Sequence, residues 1–113
     1  MKQYKVILSQ SFKEELENIF VYISSDLKNS NAAIKIINEI FDKANELETF
    51  PYKYPTYEVE PWKSKGLRKL VTNGYLIFYI VYEDKKEVLV MHVFKSNRNM
   101  TDLLDNNNSN QDE

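Results

Sequence analysis

The side chains able to do chemistry in this sequence are basic, and they gather around its most apolar stretch. Lys63, Lys65, Arg68 and Lys69 precede that stretch, and His92, Lys95 and Arg98 close it. His92 is the only histidine and the one side chain whose ordinary pKa lies near neutrality. Cations so placed suit contact with an acidic or anionic macromolecule. Composition removes other chemistries. With no cysteine there is no thiol nucleophile and no disulfide scaffold. One histidine without clustered acids offers no metal site, and no cofactor is expected.

Each of these residues also has a plain structural reading. Arg68 and Lys69 are neighbours on a strand and must point to opposite faces. Arg68 can pair with a helix acid such as Glu39 or Glu46, while Lys69 is solvated. Lys63 and Lys65 can be loop residues in water. His92 can be a packed, hydrogen-bonded strand histidine. Arg98 can cap or pair with Asp102 four residues on.

The elements that must position them can be read from apolar spacing. Gly66 to Arg98 holds three strand-like runs. Asn73-Gly74 separates the first two and accepts the positive φ values of a tight hairpin. Glu83-Asp84-Lys85-Lys86 makes the second break. Tyr75 to Tyr82 is apolar or aromatic at every position, the pattern of a central strand covered on both faces. Tyr75, Phe78, Tyr79 and Tyr82 could form a stacking platform for bases, but their apolar neighbours favour core packing.

Upstream, Tyr4 to Leu8 reads as a short edge strand. Ser9 or Ser11 can cap the following helix, and Ser11 with Glu14 has capping-box spacing. Phe12, Leu16, Ile19, Ile23 and Leu27 make its apolar stripe. After the polar break Lys28–Asn31, a second helix runs from about Ala32 to Thr49, capped by Ser30 or Asn31. Ile34, Ile37, Phe41, Ala44 and Leu47 form its main stripe, widened by Ile36 and Ile40. Pro51 stops it. The segment 51–66 holds all three prolines, three of eight tyrosines and the only tryptophan, so it should be a packed loop rather than a linker.

The expected fold is α+β: an N-terminal strand, a two-helix antiparallel hairpin, then a three-stranded antiparallel meander. Together they form one small sheet with the helices on one face. The other face is left to a terminal segment, a partner or a target, with Leu76, Phe78 and Ile80 as partner-binding residues. A single domain spans 1–104, with a last short helix over Ser96–Leu104. The tail 105–113 is too polar to bury anything and should be disordered. The chain has 113 residues and a formal charge of −2, but without the four acids from Asp102 onward it holds 15 basic and 13 acidic residues. That small surplus argues against a large nucleic-acid footprint. No signal-peptide core or membrane-length run is present, so a cytoplasmic protein is expected.

In order and spacing these pieces resemble the RelE/ParE superfamily of bacterial type II toxin–antitoxin toxins, its ParE-like branch most. The resemblance rests on Tyr4–Ser9 leading into a helix, Phe50-Pro51 after the second helix, and Lys65–Leu70 leading to Asn73–Tyr79. A closing strand then ends near Arg98. It implies a compact toxin in a hetero-oligomer with a cognate antitoxin that wraps around it. RelE-like members cut messenger RNA in the ribosome, and ParE-like members inhibit DNA gyrase without cleaving nucleic acid. For RNase members the resemblance implies basic groups on the sheet and near its exit. Such groups serve cleavage at a ribose 2′-OH, which needs a base, a positive charge on the phosphorane and an acid. Here that set would be Lys69, His92 and Arg98. The arginine that follows the hairpin tyrosine in those members falls on Leu76, which cannot stabilise a phosphorane. The expectation is therefore a non-catalytic toxin aimed at gyrase, contacted through Lys63, Lys65, Arg68, Lys69, Lys95 and Arg98. Its rivals are a ribosome-dependent endonuclease and an inactive relic that only binds an antitoxin.

Overall fold

The computed structural model describes residues 3–96. Strand β1 (Lys5–Leu8) leads into helix α1 (Gln10–Val21), a π-helical turn (Tyr22–Asp26) and helix α2 (Ser30–Glu46). The loop 47–67 follows, then β2 (Arg68–Thr72), β3 (Tyr75–Tyr82) and β4 (Glu87–Lys95). The sheet order is β1-β4-β3-β2, with β1 parallel to β4 and the other pairs antiparallel. The α+β architecture is as expected, with β1 and β2 at the two edges.

Local chemistry accounts for the element ends. Ser9, not Ser11, caps α1: its Oγ accepts from Phe12 N–H at 3.0 Å and donates to the Met91 carbonyl at 2.7 Å. Asn29, one residue before the expected caps, accepts from Ala32 N–H at 3.1 Å and opens α2. At the hairpin, Asn73 has φ 49° and Gly74 φ 81°, the left-handed pair that suits a two-residue turn.

The helices cover one face of the sheet. Phe12 and Leu16 of α1 and Ile40 and Ala44 of α2 meet Tyr75, Ile77, Tyr79, Val88, Val90 and Val93 in one cluster. Val90 and Val93 should face opposite ways by strand alternation. A bulge reconciles them: Phe78 stands opposite His92 but Tyr79 opposite Val90, so Met91 is the extra residue.

The second face is not open. Tyr57, Trp62 and Leu67 of the loop lie on Leu76, Phe78 and Phe94, with Ile80 and Met91 half-buried beside them. Tyr57 meets the Phe78 ring edge-on at 5.3 Å. The loop is pinned along β2, with Tyr57 N–H donating to the Leu67 carbonyl at 2.8 Å and Lys69 N–H to the Pro55 carbonyl at 3.1 Å. It is pinned again through β3, where the buried Tyr79 hydroxyl donates to the Pro51 carbonyl at 2.8 Å. Burial pushes the Tyr79 phenol up to about 12. The packed-loop expectation thus holds, and the expectation of an uncovered face is corrected. Loop residues from the same chain cover its centre at Leu76, Phe78 and Phe94.

Where β3 turns into β4, Glu83 ties three segments together. Tyr4 and Tyr52 hydroxyls both donate to its Oε1 at 2.7 Å, and Lys86 pairs with Oε2. These donors, Lys86 first, hold the Glu83 carboxyl down to about 2, against an ordinary 4.5.

Two outcomes follow from these ties. Tyr79→Phe strands a buried carbonyl and should lower stability by about 1–2 kcal/mol in urea unfolding. Unfolded Glu83 takes up a proton near pH 4.5 while the folded carboxylate resists until about 2. Its contribution is therefore complete above pH 4.5 and fades as the pH falls towards 2. The stability gap between wild type and Glu83→Gln should narrow over that window, and an equal gap at pH 7 and pH 2 would contradict the tie.

Candidate functional site

Strand β1 stops opposite Val90, so among the described residues the later half of β4 has no strand on that side. Helix α1 takes the place of one. Glu15 accepts from Val93 N–H at 3.0 Å through one oxygen and meets His92 Nδ1 at 2.9 Å through the other. His92 also stacks on Phe94, with centroids 5.2 Å apart, and is only 2% exposed. A carboxylate here satisfies an edge N–H that burial would otherwise penalise. The packed reading of His92 is the observed one. The histidine offered as a catalytic group is sealed from any substrate.

The cations are scattered rather than convergent. Register places Arg68 opposite Tyr79 on the helix side and Lys69 opposite Phe78 on the loop side. Arg68 donates to the Tyr54 carbonyl at 2.6 Å and lies 4.9 Å over the Tyr52 ring. It does not reach Glu39 or Glu46. Glu46 instead meets Lys43 and Lys53 at 3.2 and 3.5 Å. Burial would raise the Glu46 carboxyl, but these two lysines and the Tyr54 hydroxyl together hold it below its ordinary value. Lys69 Nζ sits 5.9 Å over Tyr57, and Lys65 Nζ 5.0 Å over Trp62. Lys63 pairs with Glu58 at 3.4 Å. Lys95 is exposed at the exit of β4, and register puts it opposite Tyr75 on the helix side. Arg98, Asp102, the last helix and the tail lie outside the described residues. Leu76 and Phe78, expected to receive a partner, are 7% and 0% exposed beneath the loop, and Ile80 is half-buried. Leu76 and Phe78 present no free apolar surface in the single chain, whereas Ile80 stays partly in water and Val71, opposite Leu76, is 57% exposed.

Exposed apolar surface also lies on the outside of the helix pair. An open groove of about 220 Å³ is lined by Lys13, Leu16, Glu17, Phe20, Ile37 and Phe41. Phe20 and Phe41 are 36% and 37% exposed, and nearby Val21 and Ile34 about half exposed at 49% and 51%. Spacing had put Ile34 and Phe41 in the core stripe. Ala44 and Leu47 of that stripe are buried as expected, together with Ile40 and Ala33. The missed signal was surplus: apolar residues at Ile34, Ile36, Ile37, Ile40 and Phe41 span more of α2 than one buried face needs.

The residue pattern of the family described as "ParE toxin of type II toxin-antitoxin system, parDE" matches residues 6–100. The chain belongs to that toxin family. Solved ParE and RelE relatives share its fold at low identity. A chain of the chromosomal ParDE toxin–antitoxin system from P. aeruginosa has a TM-score of 0.67 at 15% identity, over 82% of this chain and 96% of that one. One from the RelBE2 toxin–antitoxin complex of Mycobacterium tuberculosis gives 0.63 at 14%, over 82% and 98%. The isolated E. coli RelE toxin gives 0.53 at 16%, over 91% and 97%. No curated protein matches the chain. This ParE-family toxin resembles both branches in shape, so shape does not choose its target. Among the described residues no helix is long and apolar enough to cross a membrane, and no group of acids and histidine is placed to hold a metal.

Glu15→Ala in this toxin removes the acceptor of Val93 N–H and the partner of His92. A loss of about 2 kcal/mol in urea unfolding is expected, with faster amide exchange at Val93 than at Val90, whose own strand pairing remains.

Proposed function

We propose that this ParE-family toxin arrests growth by binding a macromolecular target in the cytoplasm, DNA gyrase, without catalysis. A cognate antitoxin neutralises it by covering the outer groove of α1 and α2. The observation that carries the non-catalytic part is at β3. Leu76 holds the position where the RNase relatives place an arginine, and it is buried under the aromatic loop. His92 adds support, since a sealed histidine held by Glu15 cannot exchange a proton with a nucleotide. Lys65, Lys69 and Lys95, with Arg98 beyond β4, are the cations left for target contact. Lys65 and Lys69 each lie over a loop ring, Lys65 exposed and Lys69 half-buried.

The antitoxin part is supported by the groove itself. Apolar residues bordering a concave strip between two helices suit an amphipathic segment laid along them. The P. aeruginosa and M. tuberculosis relatives come from toxin–antitoxin assemblies, which is consistent with such a partner.

Induced expression without the neighbouring gene should stop growth. The purified toxin should inhibit supercoiling by gyrase, while translated messages stay intact by primer extension. Lys65→Glu with Lys69→Glu should weaken that inhibition by about tenfold or more, as reversing contact charges does. Growth arrest with cleaved messages would instead establish the endonuclease reading. Normal growth with a soluble, folded protein would leave only the relic.

A further inference from the structure

Strand β2 is the edge of the sheet farthest from β1, and the loop covers only its first half. Thr56 forms an isolated bridge with Arg68, and Lys69 N–H donates to the Pro55 carbonyl at 3.1 Å. Backbone groups of an antiparallel strand turn alternately towards and away from the neighbouring strand. Lys69 N–H points out to the loop, so Leu70 and Thr72 turn inward to β3. Val71, opposite Leu76, therefore presents both its N–H and its carbonyl outward. Among the described residues no backbone group meets them. The Val71 side chain is exposed as well, so this stretch lacks the cover that natural edges usually carry.

The chemistry around the edge says what would fit it. An outward N–H and carbonyl on one residue pair with extended backbone, whereas the backbone groups inside a helix are already spent. Lys69 lies two residues before Val71 on the same, loop-side face, about 7 Å along the strand. It is half-buried, its Nζ rests 5.9 Å over Tyr57, and the ion pairs among the described residues leave it without a carboxylate. A cation partly withdrawn from water calls for an anion. An added strand would set an apolar side chain beside Val71 and, two residues along the same face, an Asp or Glu beside Lys69.

We propose that the toxin's target presents an extended acidic segment, which adds to the sheet as a fifth strand beside β2. Its backbone pairs with Val71 and its carboxylate meets Lys69. That the target brings this segment rests on the gyrase reading above, whereas the edge's choice of an acidic strand does not.

Two experiments test these parts separately. The first uses the full chain and a capped synthetic peptide, Glu-Thr-Val-Thr-Glu, which sets an acid beside Lys69 in either strand direction. By solvent-exchange NMR the Val71 N–H should exchange fast in the free chain, unlike those of Leu70 and Thr72. At a peptide concentration three times its Kd, Val71 should exchange about fourfold more slowly by mass action. Lys-Thr-Val-Thr-Lys should bind at least tenfold more weakly. No protection of Val71 at ~10 mM acidic peptide, or equal binding of both peptides, overturns the edge site. A Val71 N–H already slow in the free chain also overturns it: slowing with toxin concentration would give the edge to a second copy, and slow exchange at every concentration to the chain's own tail.

The second measures inhibition of gyrase. Val71→Pro removes an N–H that no ladder bond uses, a place where an edge strand accepts proline. It should weaken inhibition at least fivefold more than Val71→Thr, which keeps the N–H. Equal inhibition by the two variants overturns the proposal while leaving the gyrase reading intact, and so does a Val71→Pro toxin that inhibits normally but escapes its antitoxin. A wild-type chain that protects Val71 with the acidic peptide yet leaves gyrase untouched would overturn the gyrase reading and uphold the acidic-strand site.

Discussion

Strand β3 has no polar position to turn towards water. From Tyr75 to Tyr82 both of its faces are apolar, and exposing either would cost about 25 cal/mol for each Å² left wet. Five consecutive residues, Tyr75 to Tyr79, are buried. The chain meets this demand twice over. Helices α1 and α2 take Tyr75, Ile77 and Tyr79, and the loop after α2 folds back so that Tyr57, Trp62 and Leu67 take Leu76 and Phe78. The rest of the structure follows from that double cover. The Tyr79 hydroxyl and the loop pairing along β2 fix the second cover. The Met91 bulge keeps Val90 and Val93 both under the first.

Closing both faces within one chain moves the interactive surfaces outward. Among the described residues the sheet keeps no wholly bare apolar face, although Val71 and Ile80 stay partly in water, and its single histidine is held by Glu15. What faces water is the outside of the helix pair, with its groove, and a set of cations braced on loop rings or standing at the exit of β4. The groove lies outside the helix pair, while Lys69 lies on the opposite, loop side of the sheet.

Much of this was legible in the sequence, and the exceptions have physical causes. The Asn73-Gly74 turn, the unbroken β3 and the helix pair could be read because each depends on local chemistry. Aromatic density between Pro51 and Gly66 foretold packing but not its destination, since which face a loop lies on is a tertiary choice. The core face of α2 was misjudged because Ile34 and Phe41 share helical spacing with residues that are buried, and spacing cannot say which side of a wide apolar helix meets the sheet. The π-helical turn at Tyr22–Asp26 shifts hydrogen bonding by one residue, a change no periodicity records, and it leaves Leu27 at 57% exposed instead of in the α1 stripe. The Glu15 clasp was unreadable for a similar reason: it exists because β1 is short, and nothing near residue 15 announces where residue 93 lies.

The sealed second face is the claim on which the account turns, and the chain carries its own reporter there. Trp62 is the only tryptophan and is 4% exposed in the middle of the loop cover. In the folded full-length protein its emission should be blue-shifted and poorly quenched by iodide or acrylamide, changing to exposed behaviour only in the unfolding transition. A red-shifted, freely quenched tryptophan in a protein whose helices and sheet are intact would mean that the loop stands away from β3, and the account would fail at its foundation.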